Sequence, residues 1–304
     1  MVCGSINMDL VVRCQQIPKP GQTVSAESAS EVCGGKGANQ AVAAALAGGQ
    51  VQMIGRVGDD AFAGRLCENL QKHAVDCAAV MPTPQSTSGL AVIAVERSGE
   101  NSILVVPGAN GRLSPQDVLR HQQIIQSADV LMLQLEIPTP SVLAAIRVAN
   151  TAGVRCILDP APVAQDWTDE LLDVDLVCPN ESEAAALVGR EIHSVEDARA
   201  AARQLQTRGA KNVAITMGEK GTGLLAGQTF HHVPAPSIQP VDTTAAGDAF
   251  ASALAVEWAD TSNLLQATRF ANFAGALAAT KFGAQQSLAN RNEIEAFRKQ
   301  ACTQ

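Results

Sequence analysis

Short, nearly continuous apolar runs are the main feature of the middle of this chain. The runs that have the length of strands cover residues 130–135, 154–158, 175–178 and 212–216. A strand is apolar throughout when both faces of its sheet are covered, whereas a strand with one wet face alternates. We therefore predict buried strands at these positions.

Helical segments separate these apolar runs. One helix is predicted from about Thr139 to Ala152, with Pro140 at its first position, where the missing N–H of proline removes no hydrogen bond. Another helix is predicted after Ser194, because Asp197 three residues later completes a capping signal. Strands that alternate with helices are typical of an α/β fold with a doubly wound, mainly parallel sheet flanked by helices.

Polar or turn residues follow each predicted strand. Glu136, Asp159, Asn180 and the stretch 217–221 occupy these positions. In doubly wound sheets, ligands bind outside the carboxyl ends of the strands. The pattern therefore predicts a ligand site at this edge of the sheet.

The first hundred residues have a different pattern of short β-prone pieces. The pieces at 17–32 and 88–106 are interrupted by prolines and glycines, among them Gly99. We predict that segments of about 11–32 and 88–107 form a small β-sheet lid. Because no linker or low-complexity tract divides the chain, residues 1–304 are predicted to form a single domain with this lid.

A turn of small residues opens into a predicted helix near the C-terminal end. Residues 240–250 read P-V-D-T-T-A-A-G-D-A-F, and the apolar residues that follow predict a helix with one buried stripe. The first N–H groups of a helix lack internal partners and can bind a phosphate where no bulky side chain intervenes. Ala245, Ala246 and Gly247 leave that approach open, and Asp248 places a carboxylate in the first turn. A helix-start charge without a catalytic role would also explain Asp248.

Two N-terminal motifs contain polar side chains suited to neighbouring hydroxyl groups. In G-S-I-N-M-D-L at 4–10, strict alternation puts Asn7 and Asp9 on one side of a strand. In G-G-K-G-A-N at 34–39, open backbone, an ammonium group and an amide precede a predicted helix at 40–47. An edge strand with one wet face would also explain the first pattern, and a purely structural turn the second.

The charge balance and cysteine pattern narrow the range of partners. The formal net charge is -8 and 17% of the residues are charged, which leaves no basic patch for nucleic acid. The sequence contains neither a signal-peptide pattern nor an apolar stretch of membrane-spanning length, so we expect no membrane partner. The eight cysteines are scattered without metal-ligand spacing, and we predict free buried thiols in a reducing, cytoplasmic compartment.

Taken together, the motifs resemble those of the ribokinase family of carbohydrate kinases, in order and spacing, over essentially the whole chain. They are G-S-I-N-M-D-L at 4–10, G-G-K-G-A-N-Q at 34–40, L-Q-L-E-I-P at 133–138, P-N-E-S-E at 179–183, T-M-G-E-K-G at 216–221, D-T-T-A-A-G-D at 242–248 and G-A-Q-Q-S at 283–287. The set resembles the ribokinase branch more than the fructokinases or adenosine kinases. The resemblance implies a ribokinase-like fold and ATP-dependent phosphorylation of D-ribose at its 5-hydroxyl, giving ribose 5-phosphate.

The resemblance also implies a role for each motif. Asp248 would be the catalytic base, and the N–H groups of Ala245, Ala246 and Gly247 would form an anion hole. The sugar pocket would be formed by Asn7, Asp9, Gly35, Lys36, Gly37, Ala38, Asn39, Glu136 and Asp248. The nucleotide side would be formed by Asn180, Thr216, Met217, Gly218, Glu219, Lys220, Gly221, Gly247, Asp248 and Asn272.

Ions and a partner chain are implied as well. Oxygens of a K⁺ site would come from Asp242, Thr244, Ala278, Lys281, Gly283 and Ser287, and Glu183 would help to organise water and Mg²⁺. A small sugar and ATP are the expected ligands. A homodimer through the lid is expected because open β edges favour pairing. The alternative to the cation site is that Asp242 only caps its own turn.

Two other functions stay open on the sequence. A kinase for deoxyribose or another small sugar or nucleoside would need the same motifs. A non-catalytic sugar or nucleotide sensor could keep the pocket, although it could lose Asp248 without losing affinity. A catalytic carboxylate retained beside Gly247 favours the enzyme.

Three positions depart from the usual pattern of the family that the chain resembles. Ala245 stands where many relatives have glycine, so we expect it in an ordinary backbone region. Asp159 stands where Asn is commoner, and Cys33 where Pro is common. We expect neither of these two residues to reach the proposed chemistry.

Overall fold

The protein is described here by a computed structural model that covers residues 1–97 and 100–301. In chain order its strands are β1 (Val2–Cys3), β2 (Asn7–Cys14), β3 (Ala26–Gly34), β4 (Val51–Val57), β5 (Val75–Pro82), β6 (Gly89–Glu96), β7 (Asn101–Val106), β8 (Val130–Leu133), β9 (Arg155–Leu158), β10 (Leu176–Val177), β11 (Val213–Thr216), β12 (Thr222–Ala226) and β13 (Thr229–Val233). Its α-helices are α1 (Lys36–Leu46), α2 (Ala61–Lys72), α3 (Pro115–Arg120), α4 (Gln122–Gln126), α5 (Thr139–Ala152), α6 (Glu181–Val188), α7 (Val195–Thr207), α8 (Ala246–Thr261), α9 (Leu264–Ala278) and α10 (Arg291–Ala301).

Most strands belong to one large sheet. Within the described residues its order is β13-β12-β11-β10-β9-β8-β1-β4-β5. All neighbours from β11 to β5 pair in parallel. The strands β12 and β13 extend the sheet at one edge as an antiparallel hairpin. The predicted doubly wound, mainly parallel sheet is therefore confirmed.

Successive residues of the parallel strands pack into two cores on opposite faces of this sheet. Met132 and Ile157 belong to the core that contains residues of α1, α8 and α9. Leu131 and Leu158 belong to the core that contains residues of α5 and α7. Since helices cover both faces, these strands have no wet side, which is why their sequences are apolar throughout.

The predicted elements are present with somewhat different ends. The strand predicted over 130–135 ends earlier, as Val130–Leu133. Helix α5 has the predicted bounds, and Pro140 occupies its second position rather than its first. The capping box between Ser194 and Asp197 at the start of α7 is confirmed.

Helix α8 does not have the single buried stripe that the sequence predicted. Its residues from Asp248 to Ala255 are all buried, and so is Trp258. The helix contacts α9, α1 and strand β8. A helix enclosed on several sides buries most of its circumference, and its many alanines and small residues permit that close approach.

The remaining strands form a separate small sheet in the order β3-β2-β6-β7. Strand β2 pairs in parallel with β6 and antiparallel with β3. The strands overlap the predicted lid segments 11–32 and 88–107, and the predicted break at Gly99 lies outside the described residues. Strand β2 already begins at Asn7, only a few residues after β1 in the large sheet. This connection places Asn7 and Asp9 where the two sheets meet.

Candidate active site

The predicted small-residue turn leads directly into α8. Asp248 lies in the first turn of the helix and is 5% exposed. Ala245 precedes the helix with φ 60° and ψ 6°, in the left-handed region, so the expectation of an ordinary backbone conformation was wrong. The chain needs a left-handed residue to turn from Thr243 into the helix. A side chain in this region costs roughly 1–2 kcal/mol.

The N–H groups at the start of α8 are only partly engaged. Ala246 N donates to Thr243 O at 3.2 Å, so one amide of the predicted anion hole has an internal partner. Among the described residues, the N–H groups of Ala245, Gly247 and Asp248 donate to no acceptor. A Cβ added to Gly247 would meet no atom within 4 Å. An anionic group can therefore approach the N–H of Gly247 without a steric obstacle.

Both oxygens of the Asp248 carboxylate accept hydrogen bonds from amide side chains of α1. Asn39 Nδ2 donates to Oδ2 at 3.1 Å, and Gln40 Nε2 donates to Oδ1 at 3.1 Å. Helix α1 begins at Lys36 rather than at residue 40, so these amides lie close to its N-terminal end. The two hydrogen bonds fix the plane of the carboxylate.

Asp159 lies in the same cluster, although it was expected not to reach the chemistry. Gln40 Nε2 also donates to Asp159 Oδ2 at 2.8 Å, and Lys36 Nζ lies 3.7 Å from that oxygen. Asp159 follows β9 directly, and the carboxyl ends of parallel strands meet at one edge of the sheet. Burial raises the pKa of Asp159 to about 7. The charge of Lys36 acts to lower this pKa, whereas the charges of Glu183 and Asp248 raise it further.

Lys36 provides a positive charge among these carboxylates. Its side chain is 31% exposed. Burial would by itself lower the pKa of Lys36, but the charges of Asp159, Asp248 and Glu136 outweigh that effect and hold the pKa above its usual value. The ammonium group is therefore charged at neutral pH.

Asp9 presents a buried acceptor that the described protein does not satisfy. Its Oδ1 accepts no hydrogen bond from any described residue. Burial, together with the charges of Glu136 and Asp248, raises the pKa of Asp9 to about 7. An unsatisfied buried acceptor costs about 1–3 kcal/mol. A ligand hydroxyl that donated to Asp9 would remove that cost.

Asn7 lies on the same face of β2 as Asp9, as the alternation predicted. Asn110 Nδ2 donates to Asn7 Oδ1 at 2.6 Å, and Ile6 N donates to Asn110 Oδ1 at 2.9 Å. These bonds occupy the carbonyl oxygen of the Asn7 amide and leave its Nδ2 to donate to a ligand. No motif in the sequence pointed to Asn110, which is 103 positions away along the chain.

Glu136 holds the glycine-rich turn against the end of β1. Its Oε2 accepts hydrogen bonds from Ser5 Oγ at 2.5 Å and from Lys36 N at 3.0 Å. Ser5 in turn accepts from Gly37 N at 3.2 Å and, through its backbone oxygen, from Ala38 N at 2.8 Å. The N–H groups of Gly37 and Ala38, two predicted sugar-pocket residues, are therefore engaged within the protein.

The glycines of this turn are required by close packing. A Cβ on Gly34 would lie 2.0 Å from Asp9 Oδ2, and one on Gly35 would lie 2.7 Å from Asn7 N. Gly35 also has φ +89°, a conformation that favours glycine. The structural role that the sequence left open for this turn is thus present, and it brings the turn against Asn7 and Asp9.

The predicted nucleotide residues begin at the start of α6. Asn180 and Glu183 form a capping box there, in which Glu183 Oε2 accepts from Asn180 N at 2.8 Å. Asn180 also forms a parallel β-bridge with Thr216. After Thr216, the residues Gly218–Lys220 form a 3₁₀ helix. These backbone contacts bring the two predicted segments side by side.

Two of the predicted nucleotide residues have other partners. Met217 is 1% exposed and packs in the core, so its side chain cannot contact a nucleotide. Asn272 accepts from Thr222 Oγ1 at 2.6 Å and donates to Val233 O at 2.9 Å. In this structure the Asn272 amide ties α9 to the hairpin of β12 and β13.

Asp242 connects the two loops of the predicted cation site. Its Oδ1 accepts from Thr244 N at 2.9 Å and from Thr244 Oγ1 at 2.5 Å, and its Oδ2 accepts from Gly283 N at 2.9 Å. Burial opposes ionisation, but these hydrogen bonds hold the pKa of Asp242 below its usual value. The capping role that was the alternative to a cation site is therefore present.

The other predicted cation ligands run from Ala278 at the end of α9 to Ser287 in a 3₁₀ helix. Lys281 Nζ lies 3.7 Å from Glu293 Oε1, and Ala278 O accepts from Lys281 N at 3.1 Å. Ser287 Oγ donates to Ala284 O at 2.8 Å. In residues 1–97 and 100–301 no group of three or more His, Cys, Asp or Glu side chains could hold a metal ion.

Comparison with known proteins agrees with this geometry. The chain matches the pfkB family carbohydrate kinase over residues 1–291. It belongs to that family. It is 39% identical to a ribokinase of Bacillus subtilis over 97% of both chains, and 37% identical to a deoxyribokinase of Salmonella typhi over 94% of both. A structure of Arabidopsis thaliana ribokinase complexed with ribose and ATP is similar with a TM-score of 0.90, at 33% identity, over 98% of this chain and 97% of the other.

Three residues of this pfkB family kinase contact its candidate site although the sequence patterns assigned them no role. Gln40 and Gln134 both stand inside motifs that carry the family resemblance, yet only the fold brings their side chains together. Ser5 likewise lies inside the first motif, between Gly4 and Asn7. The signal for these residues was their place in a motif, and their hydrogen bonds to other site residues became visible only in the fold.

Two further predictions for this kinase concerned free buried cysteines and the lack of a membrane-spanning segment. All cysteines within the described residues are free thiols, and Cys302 lies outside them. Cys3, Cys14, Cys156 and Cys178 are buried as predicted, whereas Cys33, Cys67 and Cys77 are partly exposed. Within the described ranges, no helix combines the length and the apolar character that crossing a membrane requires.

Proposed function

We propose that this kinase transfers the γ-phosphoryl group of ATP to the 5-hydroxyl of D-ribose, giving ribose 5-phosphate and ADP. The observation that carries the proposal is the Asp248 carboxylate at the start of α8. It lies beside N–H groups that donate to no described residue, and its charge contributes to the raised pKa of Asp9. One carboxylate next to an anion-binding helix start is the arrangement that a hydroxyl-to-phosphate transfer needs.

Asp248 acts as the base in this proposal. The attacking hydroxyl donates its hydrogen to a carboxylate oxygen, its oxygen forms a bond to the γ-phosphorus, and the bond from that phosphorus to the β,γ-bridging oxygen breaks. Phosphoryl transfer depends mainly on positioning and on stabilisation of charge, so the proton can leave late. The Asn39 and Gln40 hydrogen bonds keep the carboxylate in place while this happens.

The start of α8 stabilises the transferred group. The N–H of Gly247 and the open space beside it offer a donor to the charge that develops on the phosphoryl oxygens. Ala245 N is a second donor that bonds to no described residue, whereas Ala246 N already bonds to Thr243 O. The charged Lys36 adds a positive group on the sugar side, which helps to attract the polyanionic nucleotide.

The sugar is held by side chains that have free hydrogen-bonding capacity. Asp9 Oδ1 accepts from one ribose hydroxyl, and Asn7 Nδ2 donates to a neighbouring one. A carboxylate and an amide on one face of β2 match two adjacent hydroxyls. The small sheet that contains β2 covers the sugar as a lid over the large sheet.

Magnesium and the nucleotide belong to the α6 side of the site. Glu183 fits the role of binding Mg²⁺ indirectly, through a water molecule. Within the described residues only its Oε2 accepts a protein hydrogen bond, while Oε1 is left for water. When bound, Mg²⁺ neutralises charge on the phosphate oxygens. Asn180, Thr216 and the 3₁₀ helix Gly218–Lys220 form the edge along which ATP lies.

A potassium ion fits the two loops joined by Asp242. The hydrogen bonds from Thr244 and Gly283 hold the pKa of Asp242 below its usual value, and the backbone oxygen of Ala279 accepts from Asp242 N at 3.3 Å. Asp242 stands six residues before Asp248 in the same turn. An ion that orders these loops therefore orders the start of α8 without touching the substrate.

Measurement of ADP release with a panel of acceptors tests this function. We expect ribose to be the best acceptor, with a kcat/KM about 10–100-fold above that for deoxyribose. A substrate that lacks one hydroxyl leaves the polar groups that would bind that hydroxyl without a partner. Fructose and adenosine are expected to be weaker. Adding K⁺ to a Na⁺ buffer should raise the rate, and reactions without sugar give the background.

The outcomes of this panel separate the alternatives. Deoxyribose as the best acceptor would match the deoxyribokinase relative instead of the ribokinases. Adenosine as the best acceptor would contradict the sugar roles of Asn7 and Asp9. Ribose binding without any ADP release would indicate a sensor.

We also infer a homodimer through the small sheet. Its edge strand β7 exposes Ile103, Leu104, Val105 and Val106, with Leu104 72% exposed. An exposed apolar strand at the edge of a sheet favours pairing with another chain. Sedimentation should give twice the monomer mass, and Leu104→Lys should shift it toward the monomer; a wild-type monomer at micromolar concentration would contradict the inference.

The expected compartment is the cytoplasm. The described cysteines are all free thiols, as is usual in a reducing environment.

A further inference from the structure

The side-chain amide of Gln40 lies between two carboxylates and a second amide. Its Nε2 donates to Asp248 Oδ1 at 3.1 Å and to Asp159 Oδ2 at 2.8 Å. Its Oε1 accepts from Gln134 Nε2 at 2.5 Å. Gln40 and Gln134 are both 0% exposed. Every polar atom of the Gln40 side chain therefore has a partner in the protein.

The orientation of the Gln40 amide is determined by these neighbours. If the Gln40 amide were turned over, its oxygen would face a carboxylate oxygen of Asp248, which as the base is ionised and cannot donate. If the Gln134 amide were turned over, two amide oxygens would face each other at 2.5 Å. Only the observed orientation of the two amides gives each contact from Gln134 through Gln40 to Asp248 a donor and an acceptor.

The Gln134 side chain packs closely against the backbone at Gly4, directly after β1. A Cβ added to Gly4 would lie 2.0 Å from Gln134 Oε1 and 2.9 Å from the Cα of Gly37. The buried Oε1 has no hydrogen-bond partner among the described residues. Gln134 therefore donates through Nε2 to Gln40 while its own Oε1 stays without a hydrogen bond. A buried unsatisfied oxygen is unusual for a residue whose only role is to fill space.

We propose that Gln40 and Gln134 are positioning residues that hold the Asp248 carboxylate in its catalytic orientation. The inference rests on the proposed kinase function with Asp248 as base. Gln134 determines which end of the Gln40 amide faces Asp248, and Gln40 determines where Oδ1 lies. Gln134 acts through Gln40, and Gln40 acts through the Asp248 carboxylate.

A parallel contact holds the other oxygen of the same carboxylate. Asn39 Nδ2 donates to Asp248 Oδ2, and Asn39 Oδ1 accepts from Gln285 Nε2 at 3.1 Å. Asn69 Nδ2 in turn donates to Gln285 Oε1 at 2.6 Å. Both oxygens of Asp248 are therefore held by an amide whose own oxygen is held by a second amide. The carboxylate plane is fixed from two sides, so the removal of one side changes its direction.

Two variants test the proposal in the ADP-release assay with ribose. Gln134→Met keeps the volume but removes the donor to Gln40, and we expect kcat to fall about 10-fold, because a small misplacement of a catalytic group lowers the rate strongly. Gln40→Met removes the bond to Asp248 itself, and we expect a fall of about 100-fold. The KM values for ribose and ATP should stay within about 3-fold of wild type, which is the signature of an interaction used in the transition state.

Ser252→Ala is the matched control. Ser252 is buried and its Oγ donates to the backbone oxygen of Gln40 at 2.9 Å. This variant loses a buried hydrogen bond to the same residue without affecting the amide orientation. We expect a lower thermal midpoint, comparable with that of Gln134→Met, and an unchanged kcat.

The outcomes distinguish the inference from the function on which it rests. If Gln134→Met has the thermal midpoint of Ser252→Ala and also its full kcat, the positioning role is overturned. If Gln40→Met does not fold, Gln134→Met alone decides. An Asp248→Asn enzyme with normal turnover would overturn the proposed base, whereas an inactive Asp248→Asn enzyme beside a fully active Gln134→Met enzyme would overturn only the positioning role.

Discussion

Replacing Asp248 with Asn is expected to lower kcat for ribose by about 10²–10⁴-fold, the contribution of a positioned general base. The Asp248→Asn side chain has the same shape, but its amide cannot take the proton of the attacking hydroxyl. Its nitrogen would also face Asn39 Nδ2 or Gln40 Nε2, where the carboxylate accepts. Ribose affinity, measured by calorimetry or by tryptophan fluorescence, should change little.

Asp260→Asn is the matched control for this substitution. Asp260 lies on the same helix α8, and its side chain is 58% exposed and lies 3.4 Å from Arg291 Nη1. Exposed ion pairs of this kind contribute about 0–1 kcal/mol, so Asp260→Asn should keep full activity. Near-normal turnover of Asp248→Asn would remove Asp248 as the base.

Replacing Asp9 with Asn is expected to lower kcat/KM for ribose by about 100-fold at pH 8, because hydrogen bonds to a charged acceptor are worth about 1.5–3 kcal/mol. The effect should appear in the KM for ribose and leave the KM for ATP unchanged, since Asp9 lies on the sugar side. Asp76→Asn is the control, because Asp76 is an exposed strand residue that bonds to Gln52 on the surface. A ribose KM unchanged in Asp9→Asn would contradict the sugar role of Asp9.

The pH dependence gives a second measurement on the same variant. Burial, Glu136 and Asp248 raise the pKa of Asp9 to about 7, so the acceptor is protonated in acid and kcat/KM for ribose should fall as the pH drops below about 7. The Asp9→Asn profile should lack this step. Asp159, whose pKa burial also raises to about 7, is present in both proteins, so the difference between the two profiles reports on Asp9.

The stability of Asp9→Asn should move in the opposite direction from its activity. Burial raises the pKa of Asp9 from its ordinary value of 3.8 to about 7, so between about pH 4 and 7 the folded state binds more protons than the unfolded state. The free energy of unfolding of the wild type therefore falls as the pH rises through this window. Denaturant unfolding at pH 8 should show Asp9→Asn to be at least as stable as wild type, which excludes misfolding as the cause of its lower activity.

Local patterns in the sequence predicted much of the fold correctly. The strand positions followed from apolar runs, and the starts of α5 and α7 followed from Pro140 and from the Ser194–Asp197 capping box. These signals act over a few residues, because caps and strand burial depend on neighbouring groups along the chain. The single buried stripe predicted for α8 was wrong because the number of elements packed around a helix is a property of the whole fold.

Contacts between distant segments account for what the sequence did not predict. Asp159 was expected to be remote from the chemistry, yet Gln40 donates to both Asp159 and Asp248. Gln40 is 119 positions from Asp159 along the chain and 208 from Asp248. Ala245 was expected in an ordinary conformation, and the turn into α8 requires a left-handed one. Spacing in one chain does not encode these relations, because they depend on which strands and helices become neighbours.

By itself, the sequence determined the fold class, the family resemblance and the residues that carry the proposed chemistry, since strand burial, helix caps and small-residue turns are set by short stretches of chain. Only the tertiary structure decided how those residues are used. It left Asp9 with an unsatisfied acceptor, joined Gly37 and Ala38 to Ser5, and enclosed Asp248 between two amides. The physical reason is that a buried polar group needs a partner, and the partner available to it depends on which distant segments pack together.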